Sequence, residues 1–149
     1  MSNLIPLFKV HMSPDVGKAV SDVLLSGYIG QGDKVEEFEK MLGSYVGNKN
    51  LITTNSATSA DHLALRLLSV PQDDDWAHLS PGDEVLTSAL TCTATNWPIL
   101  ANNFKIKWVD VDPATCNIDL EDLKRKISPT TKAIMVVHWG GYPNDLDKL

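Results

Sequence analysis

The sequence predicts an α/β fold in three layers: a mostly parallel sheet with helices on both faces. Three observations predict it. Short β-prone runs alternate with amphipathic helical stripes in a β-α-β-α-β-α-β order, which calls for parallel strands joined by right-handed crossovers. One of those runs, Lys132–Val137 (KAIMVV), is almost wholly apolar, as a strand covered on both faces should be. Small polar residues gather where strand-like runs give way to helices, at Asn55–Ala60 and Thr91–Asn96. In a parallel sheet such junctions line up along one edge, where ligands bind.

Each element has a local cause. Ser13 as N-cap and Pro14 at the first helical position open a helix that Gly27 can stop. The Gly-rich connector Gly27–Gly32 (GYIGQG) follows. Val35, Phe38, Met41, Leu42, Tyr45 and Val46 recur at spacings of three and four, predicting a helix over Lys34–Val46. Asn50–Thr54 (NLITT) reads as a short strand, and Ala60, Leu63, Ala64, Leu67 and Leu68 mark the next helix. Pro71–Glu84 is a long polar loop, read as a solvated surface excursion. Glu84–Ser88 and Lys105–Val109 are strands with a helical stretch between them. Asp119–Ile127 is a short helix with Asp119 as cap and Lys124, Arg125 and Lys126 near its C-terminal end, where the dipole favours cations. After the strand at Lys132–Val137 a further helix starts at PNDLDKL with no stop signal, so the chain reads as the front part of something longer.

Composition narrows the function. With 149 residues, 43% hydrophobic and 21% charged, the chain suits one globular domain with a genuine core. A net charge of −6 argues against a general surface for nucleic acid or anionic membrane. No apolar run approaches the roughly 20 residues that span a bilayer, and the N-terminus lacks the build of a signal peptide. Cys92 and Cys116 lie far apart without a CxxC, which fits a reduced, cytoplasmic protein, and the four histidines are too scattered to suggest a metal site. There is no GxxxxGK[ST] loop, and Gly27–Gly32 spaces its glycines as GxxGxG without a preceding strand. Neither a P-loop nor a dinucleotide fingerprint is supported.

Three junctions are candidates for chemistry, each with two readings. At Asn55–Ala60 the free amides of a helix N-terminus can hold an anion, with Ser56, Thr58 and Ser59 adding hydroxyls, or Ser56 or Thr58 simply caps the helix. The hydroxyls and Asn96 of Thr91–Leu100 either line a pocket or cap a helix, and Trp97 before Pro98 reads as a core residue. His138, just beyond a strand, is an acid/base or ligand contact, or a hydrogen-bonded structural histidine.

Taken in order, six motifs resemble the DegT-type nucleotide-sugar aminotransferases of fold type I, which depend on pyridoxal 5′-phosphate (PLP). They are IPLFKVHMSPD, LLSGYIGQGDKVEEFEKMLGSYVG, TTNSATSADHLALRLL, PGDEVLTSALTCTATNWPIL, WVDVDPATCNID and ISPTTKAIMVVHWGGYPNDLDKL, and together they cover nearly the whole chain. The departure in length is Gln72–Leu79, where the family has a shorter turn. The family's Ser-Gly-Thr element, which holds the PLP phosphate, reads Ser56-Ala57-Thr58 here. The resemblance therefore points to the amides of Ala57 and Thr58 and the Thr58 hydroxyl, with Ala acceptable for Gly if φ is negative. Cys92 stands where the family commonly stacks an aromatic residue on the pyridine ring. The family's GW-x-x-x-G loop matches Gly27–Gly32, which would bring Tyr28, Gly30 and Gln31 near the sugar or cofactor. His138 is the fourth substrate-binding candidate. Asp110, Asp112 and Asp119 read as caps and turns.

The resemblance implies a cytoplasmic homodimer that moves an amino group, commonly from glutamate, to a nucleotide-linked keto sugar. A dehydratase branch of the same scaffold, with a histidine replacing the cofactor lysine, and a non-catalytic module are the alternatives. In the family, the aspartate that pairs with the pyridine nitrogen, the cofactor lysine and the small C-terminal domain all come after the stretch present here. Neither Lys132 nor Lys148 stands in that lysine's context, so these residues are not expected to transaminate by themselves.

Overall fold

A computed structural model describes residues 5, 6, 8–71 and 78–149, which form two compact units, Met1–Thr53 and Thr54–Leu149. The first holds helices α1 (Val16–Ser26) and α2 (Asp33–Val46). α1 starts later than Ser13 and Pro14 predict. The Ser13 carbonyl accepts from Val16 N–H at 3.1 Å and its hydroxyl from Asp15 N–H at 3.4 Å, so both residues belong to a turn that leads into the helix. Gly27, at φ 79°, ends α1 in the left-handed conformation as expected. Gly43 is required by contact: a Cβ there would stand 2.7 Å from the Asn48 carbonyl oxygen.

The strand expected at Asn50–Thr54 does not form. Its Thr53 gives both its N–H and its hydroxyl to the Glu39 carboxylate of α2, at 2.6 and 2.7 Å, and among the described residues no strand pairs with this segment. A β-prone run without a neighbour has no ladder to join.

The second unit carries α3 (Ala57–Leu68), β1 (Glu84–Ser88), α4 (Thr93–Ala101), β2 (Lys105–Val109), α5 (Leu120–Lys126), β3 (Thr131–Met135) and a short 3₁₀ turn, Trp139–Gly141. The strands are parallel in the order β2-β1-β3. Because side chains alternate, adjacent residues of β1 build two different cores. Val85 packs with Leu65 of α3, Ile99 of α4, Leu79 and Phe104, whereas Leu86 packs with Val109, Ile118 and Leu123 of α5. Helices thus cover both faces. The chain moves from β1 to β2 through α4, then back past β1 to β3 through α5 on the opposite face. Reversing direction and face together keeps both crossovers of one hand, as the chirality rule requires.

Three expectations are corrected here. β3 begins at Thr131 and ends at Met135, and although Ala133 and Met135 pack on one core and Ile134 on the other, it is only half-buried, because among the described residues it has a strand on one side only; full burial falls to the central strand β1. Trp97 is exposed, because Asn96, Pro98 and Ile99 already fill the inward side of α4. The polar loop Pro71–Glu84 is not solvated throughout. Gln72–Ala77 lie outside the described residues, but Leu79 is buried in the core and its N–H donates to the Leu68 carbonyl at 2.9 Å.

Candidate functional site

The capping reading of Ser56 is realised. Ser56 is extended (φ −163°, ψ 157°) and its hydroxyl oxygen accepts from Ser59 N–H at 3.1 Å, while Ala60 N–H donates to the Ser56 carbonyl at 3.1 Å. The Ser59 hydroxyl in turn donates to Asn55 Oδ1 at 2.7 Å. This inward capping stops short of the first turn. The amides of Ala57 and Thr58, and the Thr58 hydroxyl, have no partner among the described residues. Ala57 has negative φ, so its methyl in place of a glycine's hydrogen is unstrained. Two parallel N–H groups at the positive end of a 12-residue helix suit a phosphate. In the same helix the Asp61 carboxyl is pushed above its usual range by burial, a feature the sequence reading passed over.

Leu68, at the far end of α3, is tied to Leu79 on the approach to β1, about 18 Å from the Ser56 end along the helix. Beyond the C-terminal ends of the parallel strands stand two more candidates. Cys92 is the exposed N-cap residue of α4, after β1, and makes no side-chain cap bond. Behind it, buried Asn96 accepts from the Thr87 hydroxyl at 2.9 Å and donates to the Ser88 carbonyl at 3.3 Å. Asn96 therefore clamps helix to strand and neither lines a pocket nor caps. Its partner Thr87 is fully buried, and nothing in the sequence, where another hydroxyl residue, Ser88, follows it, signalled that.

His138 follows β3, is exposed, and its Nδ1 accepts from Asn144 N–H at 3.1 Å, so the hydrogen-bonded reading holds for that nitrogen. Nε2 has no partner among the described residues. The structure thus brings Cys92 and His138 to one edge of neighbouring strands. Tyr28, Gly30 and Gln31 lie in the other unit, where with Val23 and Val35 they line a hollow of about 810 Å³ beside α1 and α2.

Asp110, Asp112 and Asp119 are caps and turns, as read. Asp119 Oδ1 accepts from the amides of Glu121 and Asp122, Asp110 Oδ1 from Val111 N–H, and Asp112 Oδ1 from Ala114 N–H. Lys148 pairs with Asp145 at 2.6 Å, and that hydrogen bond raises its pKa, the reverse of what an amine nucleophile needs. Among the described residues no group of three His, Cys, Asp or Glu side chains could hold a metal, and no helix is long and apolar enough to cross a membrane.

A parallel sheet with an open helix start and exposed groups along its C-terminal edge is the build of an α/β ligand-binding domain. Residues 11–149 match the DegT/DnrJ/EryC1/StrS aminotransferase family, and the chain belongs to it. It is 36% identical to the spore coat polysaccharide biosynthesis protein SpsC of Bacillus subtilis, over 95% of this chain and 35% of that protein. Among solved structures it resembles the sugar aminotransferase CalS13 of Micromonospora echinospora, at 54% identity and a TM-score of 0.82, covering 98% of this chain and 37% of that one. It also resembles the E. coli GDP-4-keto-6-deoxy-D-mannose-3-dehydratase with bound hydrated PLP, at 30% identity and a TM-score of 0.85, covering 96% and 36%. The chain therefore spans little more than a third of the length of these relatives.

Proposed function

We infer that this chain is the cofactor-phosphate-holding part of a PLP-dependent aminotransferase, one that passes an amino group from glutamate to a nucleotide-linked keto sugar. The observation that carries the reading is the pair of unpartnered amides at Ala57 and Thr58, beside the free Thr58 hydroxyl, in a chain of this family. PLP, when bound, supplies an electron sink for bond changes at the amino-bearing carbon. The residues here anchor and orient it. Ser56 sets where α3 starts and so where the two amides point. Cys92 offers a small polarizable face to the ring. Tyr28, Gly30, Gln31 and His138 contact the sugar or the cofactor. The enzyme is a cytoplasmic homodimer in this reading, and residues 1–149 are the N-terminal part of its large domain. Amino transfer is favoured over dehydration by the 54% identity to a sugar aminotransferase, against 30% to the dehydratase.

The site is tested by following backbone amides by NMR while the chain is titrated with PLP or with pyridoxal, which lacks the phosphate. PLP should shift Ala57 and Thr58 and pyridoxal should not; equal effects of the two would sink the phosphate assignment. For the reaction, nitrogen-15 glutamate and a nucleotide-linked keto sugar are supplied to the enzyme carrying this chain. Label should appear in the sugar, whereas an unlabelled deoxy product would decide for dehydration.

A further inference from the structure

Two nearly buried asparagines hold the loop that follows β3. Asn117 donates from Nδ2 to the carbonyls of Tyr142 and Pro143, at 3.2 and 3.1 Å, and accepts Trp139 N–H at Oδ1 at 3.2 Å. Asn144 accepts Ile118 N–H at Oδ1 at 3.3 Å and donates from Nδ2 to the Val137 carbonyl at 2.7 Å. Those partners settle which way the Asn144 amide points, since a carbonyl can only accept and a backbone N–H can only donate. The consequence reaches His138. Its Nδ1 lies 3.1 Å from Asn144 N–H and 3.1 Å from Asn144 Nδ2, and both are donors. Nδ1 must therefore act as acceptor, which leaves the proton of the neutral ring on Nε2, the nitrogen that no described residue engages.

We propose that Asn144, backed by Asn117, is a positioning residue that fixes His138 as the Nε2–H tautomer, so that the loop after β3 presents one N–H donor to an oxygen of the ligand. This rests on the reading above that PLP and a sugar occupy the C-terminal edge of the sheet. A loop that had only to reverse direction would need neither buried amide. Here both are used on a seven-residue segment, and the ring nitrogen without a partner among the described residues belongs to an exposed side chain.

The test pairs a spectroscopic readout with binding. Imidazole nitrogen-15 shifts of His138 in the 149-residue chain should show a protonated Nε2 and a bare Nδ1, and Asn144→Asp, which puts a carboxylate oxygen in place of the Nδ2 donor, should turn this into a mixture of tautomers. PLP binding should weaken about tenfold in His138→Phe, the scale of one lost hydrogen bond, and should largely return in His138→Gln, whose amide restores a donor. A ring proton on Nδ1 in the unmodified chain, or an unchanged nitrogen-15 pattern in Asn144→Asp, overturns the assignment. So does unchanged affinity in His138→Phe while PLP still shifts the Ala57 and Thr58 amides. Asn144→Asp keeps the acceptor for Ile118 and changes only the group that faces Nδ1; should it lose its amide dispersion, the unmodified chain's tautomer and the His138→Phe affinity decide. If PLP leaves Ala57 and Thr58 unmoved, the phosphate reading fails by itself, and the tautomer measurement still decides this one.

Discussion

Ser56 and Thr58 stand two residues apart and serve different ends. The Ser56 hydroxyl satisfies Ser59 N–H inside the protein, so Ser56→Ala should cost about 1 kcal/mol of stability. The Thr58 hydroxyl has no partner among the described residues, so Thr58→Val should leave the melting temperature nearly unchanged and weaken PLP binding. Thermal melts of the two variants, read beside PLP titrations, separate the roles; a Thr58→Val melting loss as large as that of Ser56→Ala would make Thr58 a helix-start residue and little more. At this scale the sequence was legible wherever a side chain acts on its own neighbours. Asp119 was readable as a cap because its partners are two and three residues away. Asn96, Asn117 and Asn144 were not readable as clamps, because their partners lie 6 to 26 residues away and an asparagine in a turn looks the same with or without them.

Between elements, Asp122 joins α5 to the end of β2. Its Oδ2 accepts Asp110 N–H at 2.8 Å and meets Lys126 Nζ at 2.7 Å, while Oδ1 accepts from Arg125 at 3.0 Å. The Asp110 amide first, then Lys126 and Arg125, hold the carboxyl down from 3.8 to about 2. A carboxylate whose pKa is lowered by folding stabilises the fold above its unfolded value and loses that contribution as pH falls through the folded one. Asp122 therefore supports the fold above pH 4 and stops doing so between about pH 4 and pH 2. Melting temperature against pH should fall less steeply across that window in Asp122→Asn than in the unmodified chain, and parallel curves would refute the link. Element identity was legible for α2, α3, α5, β1 and β2 because period and punctuation are local. It failed for Asn50–Thr54 because a strand is a property of two segments. The burial of β3 was misjudged for a related reason: composition states what a strand tolerates, and its place in the sheet decides what covers it.

Across the whole molecule, apolar surface is unevenly covered. In the first unit α1 has no buried residue and α2 has only Gly43, while Val20, Leu24, Phe38 and Met41 are all more than half exposed. Each such side chain leaves unrealised somewhat over half of the about 1.5–3 kcal/mol that full burial gives, and stripes of this kind seek cover. The 149-residue chain should therefore self-associate, with a sedimentation coefficient that rises with concentration. A concentration-independent monomer that binds no hydrophobic dye would contradict this.

What the sequence by itself determined is the class of fold, the order of most elements and the place of the helix start at Ser56–Thr58, because spacing, caps and ordered motifs are written in neighbouring residues. The tertiary structure alone decided that Ser56 and not Thr58 carries the cap, that Asn50–Thr54 stays unpaired, that Trp97 faces outward, and that Asn144 governs the ring of His138. Those outcomes depend on which distant residue arrives beside each group, and hydrogen bonding and burial are settled only by that arrival.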